Sequence, residues 1–179
     1  MTILKKEFYL NDTLRVAKGL LGNVLCRKAN GIIYKGIIVE TEAYTQEDPA
    51  CHAHRGITKR TETMYKEGGI SYVYFTYGMH HCMNVVTEKE NRGCAVLIRA
   101  LEPITEGLTS TNGPSRLCKM LNITRDLNGV DITSDNSGIW IEKGKKPKEI
   151  IATTRIGISK ATDLKWRFYI KDNPWVSKK

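Results

Sequence analysis

Eight residues, Ile37-Ile38-Val39-Glu40-Thr41-Glu42-Ala43-Tyr44, constrain this chain more than any other stretch. Three β-branched residues open it, which favours a strand. Side chains alternate across a strand, so Glu40, Glu42 and Tyr44 are expected on one face. Two acids and a phenol side by side are costly to bury without partners. Such a row lies on solvent or lines a site. On pattern alone it also fits a strand leaving the core for a polar loop, since exposed carboxylates are the common case.

The rest of the chain sets limits on what that row can belong to. Its 179 residues suit one domain spanning 1–179, and the 41% hydrophobic content is enough for one core. The longest apolar runs are far too short to span a bilayer. Met1-Thr2-Ile3-Leu4-Lys5-Lys6 has no signal-peptide pattern, so a soluble, cytoplasmic protein with no membrane partner is expected. The five cysteines are odd in number and scattered, which suits reduced thiols. The formal charge of +9 is unevenly placed: residues 143–179 hold 11 Lys/Arg against 3 Asp/Glu, while the first 142 are nearly neutral. A basic segment on a neutral body suggests a polyanion partner, with nucleic acid the first candidate.

The element pattern is mixed. Asn11-Asp12 caps an amphipathic helix through Leu14, Ala17, Leu20 and Leu21, and Gly22 ends it. Val24–Cys26 and Ile32–Tyr34 read as strands about a turn at Asn30-Gly31. Residues 45–71 form a long polar loop, of the kind that is often functional. Tyr72–Tyr77 and Cys82–Val86 read as an antiparallel hairpin turning at Gly78-Met79. Cys94–Leu101 is a strand interrupted by Arg99. A second helix opens at Gly113-Pro114. Ile139–Ile141, Thr154–Ile158 and Trp166–Ile170 read as late strands. The fold class expected is α+β: a curved, largely antiparallel sheet with short flanking helices and a protruding β-hairpin.

Three groups could carry chemistry: the Glu40/Glu42/Tyr44 row, the aromatic hairpin Tyr72–Asn84, and Arg99. An arginine among Ala95, Val96, Leu97, Ile98 and Ala100 needs a carboxylate, a phosphate or an exposed face. Tyrosines at 72, 74 and 77 fit a packed sheet face, but an aromatic beside a glycine at a hairpin tip also suits a wedge between stacked bases. Cys51-His52-Ala53-His54 and His80-His81-Cys82 hold both ligand types that zinc takes, yet their spacings match no zinc ribbon or H-E-x-x-H pattern. No metal site is expected.

The ordered set of motifs resembles the alkyladenine (3-methyladenine, N-methylpurine) DNA glycosylase family. It comprises Val39–Tyr44, Asp48-Pro49-Ala50-Cys51-His52, Tyr72–Asn84, Val96–Pro103, Asn112–Cys118, Arg155-Ile156-Gly157-Ile158 and Arg167-Phe168. The resemblance implies a monofunctional glycosylase that extrudes alkylated or deaminated purines (3-methyladenine, 7-methylguanine, hypoxanthine) from double-stranded DNA. It implies hydrolysis of the N-glycosidic bond to leave an abasic site, without metal or organic cofactor. By resemblance, Glu42 activates water and Arg99 helps hold it. Tyr44, His52 and Tyr74 wall the base pocket, Asn84 rejects guanine, and Tyr77 is the wedge. Arg116 and Lys119, with the lysines of 143–179, would meet backbone phosphates. The expected state is a monomer, nucleoid-associated in a bacterial cell. The family often carries a longer segment between Glu102-Pro103 and Gly113-Pro114; only Ile104–Asn112 stands here.

Overall fold

The computed structural model describes residues 2–76 and 78–178. Tyr77, the expected wedge, lies outside the described residues.

One strand organises the fold. β2 (Ile32–Tyr44) is 13 residues long, merging two segments that read separately in the sequence. One edge pairs antiparallel with β5 (Ala95–Pro103). The other edge serves two partners in turn. Residues 32–37 pair with β1 (Val24–Ala29), and residues 40–42 with β8 (Arg167–Ile170). The turn between β1 and β2 uses Asn30 and Gly31 at φ 51° and 77°, a left-handed geometry that Asn and Gly tolerate best. Beyond β5 lie β4 (His80–Val86) and β3 (Ser71–Thr76); β6 (Ile139–Glu142) flanks β1, and β7 (Ile150–Thr153) flanks β8. All these pairings are antiparallel, and the eight-stranded sheet curls into a half-barrel, the α+β architecture expected.

Short helices pack against the sheet. α1 (Lys6–Tyr9) leads into α2 (Thr13–Leu20), whose first turn is capped by the Asp12 carboxylate accepting from the N–H groups of Leu14 and Arg15. Thr41, alternating with the acids on β2, points to α2 and donates to the Ala17 carbonyl at 2.9 Å. α3 (Pro114–Met120) packs against β4 and β5. Val16, Leu20, Ile38, Ile98, Leu117 and Phe168 belong to one buried core cluster. A smaller cluster, including Cys51, Ala53, Met64, Tyr65 and Tyr72, anchors the long loop to the hairpin. Phe75 and Met79 at the hairpin's far end are exposed, so the hairpin protrudes.

Two of the boundaries that differ from the sequence reading have a visible cause. Thr154–Ile158 is not a strand: β7 ends at Thr153, and the chain folds inward as a loop. The cause is Arg155, whose guanidinium is drawn to Asp48 and the Ala43 carbonyl, followed by Gly157 at φ 76°. β5 also runs two residues past Leu101, because Glu102 and Pro103 pair with Ile37 and Gly36. Among the described residues, no helix is long and apolar enough to cross a membrane.

Because β2 leans on α2, Asp12→Ala is expected to cost about 1 kcal/mol. In a domain of this size that lowers the melting temperature by about 2–4 °C. Calorimetry checks this, and an unchanged melting temperature would mean that the cap contributes nothing.

Candidate active site

Residues of β2, β3, β4 and β5, with the long loop, line a cavity of about 580 Å³, within the usual range for small-molecule sites. Period-two alternation builds its floor. Tyr72, Tyr74 and Thr76 of β3, Cys82 and Asn84 of β4, and Ala95, Leu97 and Arg99 of β5 all line it, as does Tyr44 at the end of β2. The cross-strand pairs Tyr72↔Asn84, Asn84↔Leu97 and Tyr44↔Ala95 hold this row in register.

Glu40 and Glu42 share one face of β2, as the alternation requires, and both are fully buried. The β2–β5 ladder is bulged there. Its register steps between Ile38 and Glu40 and again before Thr41, leaving Val39 and Arg99 without a cross-strand partner. Bulges often re-aim a side chain beside a site. Here Arg99 lies between the two acids, with Nε 3.3 Å from Glu40 Oε1 and Nη1 3.3 Å from Glu42 Oε2. Arg99 Nε is close enough for an ion pair but is not aligned as a hydrogen-bond donor.

Both oxygens of Glu42 are occupied. The Ile156 N–H donates to Oε1 at 2.8 Å, and the Tyr44 hydroxyl donates to Oε2 at 2.8 Å. Burial, then the Glu42 charge, pushes the Tyr44 phenol well above its ordinary range, so it stays protonated and donates. Glu42 itself does not line the cavity, but its three partners, Tyr44, Arg99 and Ile156, all do. The carboxylate thus stands one layer behind the wall.

A second ion pair holds that layer in place. Asp48 and Arg155 are both buried, and Arg155 grips Asp48 with two nitrogens while also donating to the Ala43 carbonyl at 3.0 Å. The Arg155 guanidinium lies 4.7 Å from the Tyr44 ring centre and 5.3 Å from that of Trp166. Three buried carboxylates (Glu40, Glu42, Asp48) therefore face three buried guanidiniums (Arg99, Arg155, Arg167). The charges balance, as burial demands.

The opposite wall comes from the long loop. His52 begins a 3₁₀ turn (His52–Arg55), and its ring meets Tyr74 edge-on at 4.7 Å. Its Nδ1 is 3.0 Å from the Tyr72 hydroxyl, and its Nε2 is 3.4 Å from Arg60. His52 is exposed as a whole residue, yet burial of the imidazole, reinforced by Arg60, pulls it down to about 4. Arg60 also lies over Tyr74, 5.4 Å from the ring centre. The Asn84 amide nitrogen donates to the Tyr72 carbonyl at 3.1 Å, which fixes how its carboxamide meets the cavity.

Of the residues singled out from sequence, Glu42, Arg99, Tyr44, His52, Tyr74 and Asn84 converge here. Arg116 and Lys119 lie apart, on the exposed face of α3, although Pro114 at its start reaches the cavity rim. The basic segment is divided: Lys160 borders this cavity, whereas Lys143 and Lys146 border a second hollow beside α1 and α2. Among the described residues, no three His, Cys, Asp or Glu side chains converge as a metal site. Sequence reasoning missed the Asp48–Arg155 pair, the Ile156 N–H, Arg60, and the tie between Glu40 and Arg167. Asp48, Arg155 and Arg167 sit in the motifs quoted above, which was their one available signal.

Comparison with known proteins points to one family. A family model described as methylpurine-DNA glycosylase (MPG) matches residues 7–174. A protein of Carboxydothermus hydrogenoformans is 50% identical across 99% of this chain and 100% of its own length. One from Clostridium botulinum is 46% identical with the same coverage. A third, from Sodalis glossinidius, is 50% identical across 93% of this chain and 96% of its own length. All three bear the name "Putative 3-methyladenine DNA glycosylase".

Two outcomes are expected. Asp48→Asn leaves Arg155 buried without its counter-charge and should destabilise the fold by about 3–5 kcal/mol in denaturant titration, a loss under 1 kcal/mol contradicting the pairing. His52 should titrate by NMR well below 6.5, and Arg60→Ala should raise its pKa. Because the folded state favours neutral imidazole, this stabilisation is present above the unfolded pKa and is lost as pH falls toward 4.

Proposed function

This chain belongs to the methylpurine-DNA glycosylase family, and on that premise we propose that it hydrolyses the N-glycosidic bond of damaged purines extruded from duplex DNA. The observation that carries the proposal is the enclosed Glu42, whose three partners form one wall of a cavity that His52, Tyr72 and Tyr74 also line. A binding pocket alone gains little from a buried carboxylate beside polyanionic DNA.

In this reading the base enters between Tyr44 on one side and Tyr74 with His52 on the other. Stacking on an aromatic contributes about 1–3 kcal/mol per base, enough to offset much of the few kcal/mol needed to unstack a damaged base. Arg60 already rests over Tyr74, so the incoming base displaces one cation from that ring. An alkylated purine such as 3-methyladenine carries its own positive charge and takes over the cation–π contact. Neutral His52 adds no second charge beside it. Asn84, held by the Tyr72 carbonyl, crowds the exocyclic amine of guanine.

The step balances as a hydrolysis. As the C1′–N bond breaks, its electron pair goes to the cationic base, which leaves neutral. The sugar gains positive charge, and water attacks C1′. We assign the water to the cavity side of Arg99 and the Tyr44 hydroxyl, from where it reaches Glu42 Oε2 once that hydroxyl moves aside as the base enters. Glu42 takes the water's proton, and its charge stabilises the sugar cation before attack. Product and abasic site separate without a covalent enzyme intermediate, which makes the enzyme monofunctional. Arg116, Lys119, Arg55 and Lys160 are assigned to backbone phosphates, whose contacts weaken with salt.

Glu42→Gln is expected to lower single-turnover base release from a 3-methyladenine duplex by about 10²–10⁴-fold. Its affinity for the lesion duplex should be unchanged. Equal release by the variant would remove Glu42 from the mechanism and leave a lesion-binding module. Tyr74→Ala should weaken lesion-duplex binding by about 1–3 kcal/mol, measured by fluorescence anisotropy. No loss would place the base elsewhere.

A further inference from the structure

Glu40 is as buried as Glu42, yet nothing in the chemistry above uses it. Its carboxylate is the meeting point of three distant segments. Arg167 Nη1 donates to Oε1 at 2.8 Å, the Ser177 backbone N–H donates to Oε2 at 2.7 Å, and Arg99 Nε stands 3.3 Å from Oε1 without alignment. The segment that brings Ser177 is itself tied down. Asn173 donates to Glu102 at 2.7 Å, Val176 is buried, and the Lys178 carbonyl accepts from Arg167 at 2.7 Å.

We infer that Glu40, clamped by Arg167 and the Ser177 N–H, is a positioning residue that sets how Arg99 divides itself between the two carboxylates. This rests on the glycosylase reading above. A free carboxylate beside an arginine draws it into a bidentate pair. With both oxygens of Glu40 already accepting from others, that pair does not form. Arg99 keeps only a loose ion-pair contact through Nε, and its Nη end stays with Glu42 and the cavity. Removing the Ser177 donor leaves Glu40 with an open oxygen inside a dry cluster. Of the two cations beside Glu40, Arg167 is already held by Oε1 and by the Thr154 and Lys178 carbonyls, so Arg99 is the one drawn to the open oxygen, and the shift takes it from Glu42.

The test uses two variants that leave every cavity-lining side chain intact. Ser177→Pro deletes the N–H, along with the hydroxyl and the freedom of φ, and Glu40→Asp keeps the charge but withdraws the carboxylate. Each is expected to slow single-turnover base release about tenfold or more while lesion-duplex affinity holds, the signature of a contact made in the transition state. Ser177→Ala, which keeps the N–H, should restore the wild-type rate; its hydroxyl makes no hydrogen bond among the described residues. In an Arg99→Lys background neither variant should slow the reaction further, because coupled residues are not additive. Wild-type rates in folded Ser177→Pro and Glu40→Asp would overturn the inference, as would an undiminished effect without Arg99. If Ser177→Pro fails to fold by circular dichroism, Glu40→Asp decides alone. A wild-type protein that frees no base overturns the glycosylase reading itself. One that frees base while both variants match it overturns only the positioning role.

Discussion

Arg99, set between Glu40 and Glu42 by a bulge in the β2–β5 ladder, is the contact on which the site's arrangement depends. A regular ladder gives each residue of β5 a partner across the strand. The double step frees Arg99 from that pairing, at the point where two carboxylates emerge together on the neighbouring strand. Without Arg99 there, the two adjacent buried acids would repel, with Arg167 beside Glu40 left as their one ion-pair partner among the described residues. With it, the acids stay in a dry cluster, and the wall in front of them can be built from rings.

The cluster also explains why distant parts of the chain fold back to one place. Asp48 at the start of the long loop, Arg155 after β7, Arg167 on β8 and Ser177 beyond it all bond into this neighbourhood. Their mutual pairing adds little stability beyond what apolar side chains of like volume would give. What it supplies is position: Tyr44 is flanked by Arg155, and the Ile156 N–H reaches Glu42 because Arg155 turns the chain inward.

Much of this was legible in the sequence, because period two is a strong signal. The shared face of Glu40, Glu42 and Tyr44 followed from alternation alone, as did that of Tyr72 and Tyr74 on the hairpin. The Asp12 cap and the Asn30-Gly31 turn were read from residue type. Burial of the acids was not legible, since a strand leaving the core carries the same pattern. Tyr44 apart, their partners lie far along the chain, Arg99 on β5 and Ile156, Arg167 and Ser177 farther still, and no local periodicity reports such pairings. Thr154–Ile158 misled because β-branched residues favour a strand, while the Arg155 side chain, committed to Asp48, bends the backbone away from one. The bulge was also hidden. Leu97 and Arg99 share a face with or without it, and only the ladder reveals that Arg99 is unpaired.

The most direct test of the account is the crystal structure of this protein on a duplex whose damaged purine is 2′-fluorinated. The fluorine opposes positive charge on the sugar and so blocks cleavage. The account predicts the base between Tyr44 and Tyr74, with a water touching both Glu42 and Arg99 on the far side of C1′. A base held outside the cavity, or a Glu42 still sealed from solvent behind Tyr44 and Ile156, would contradict it.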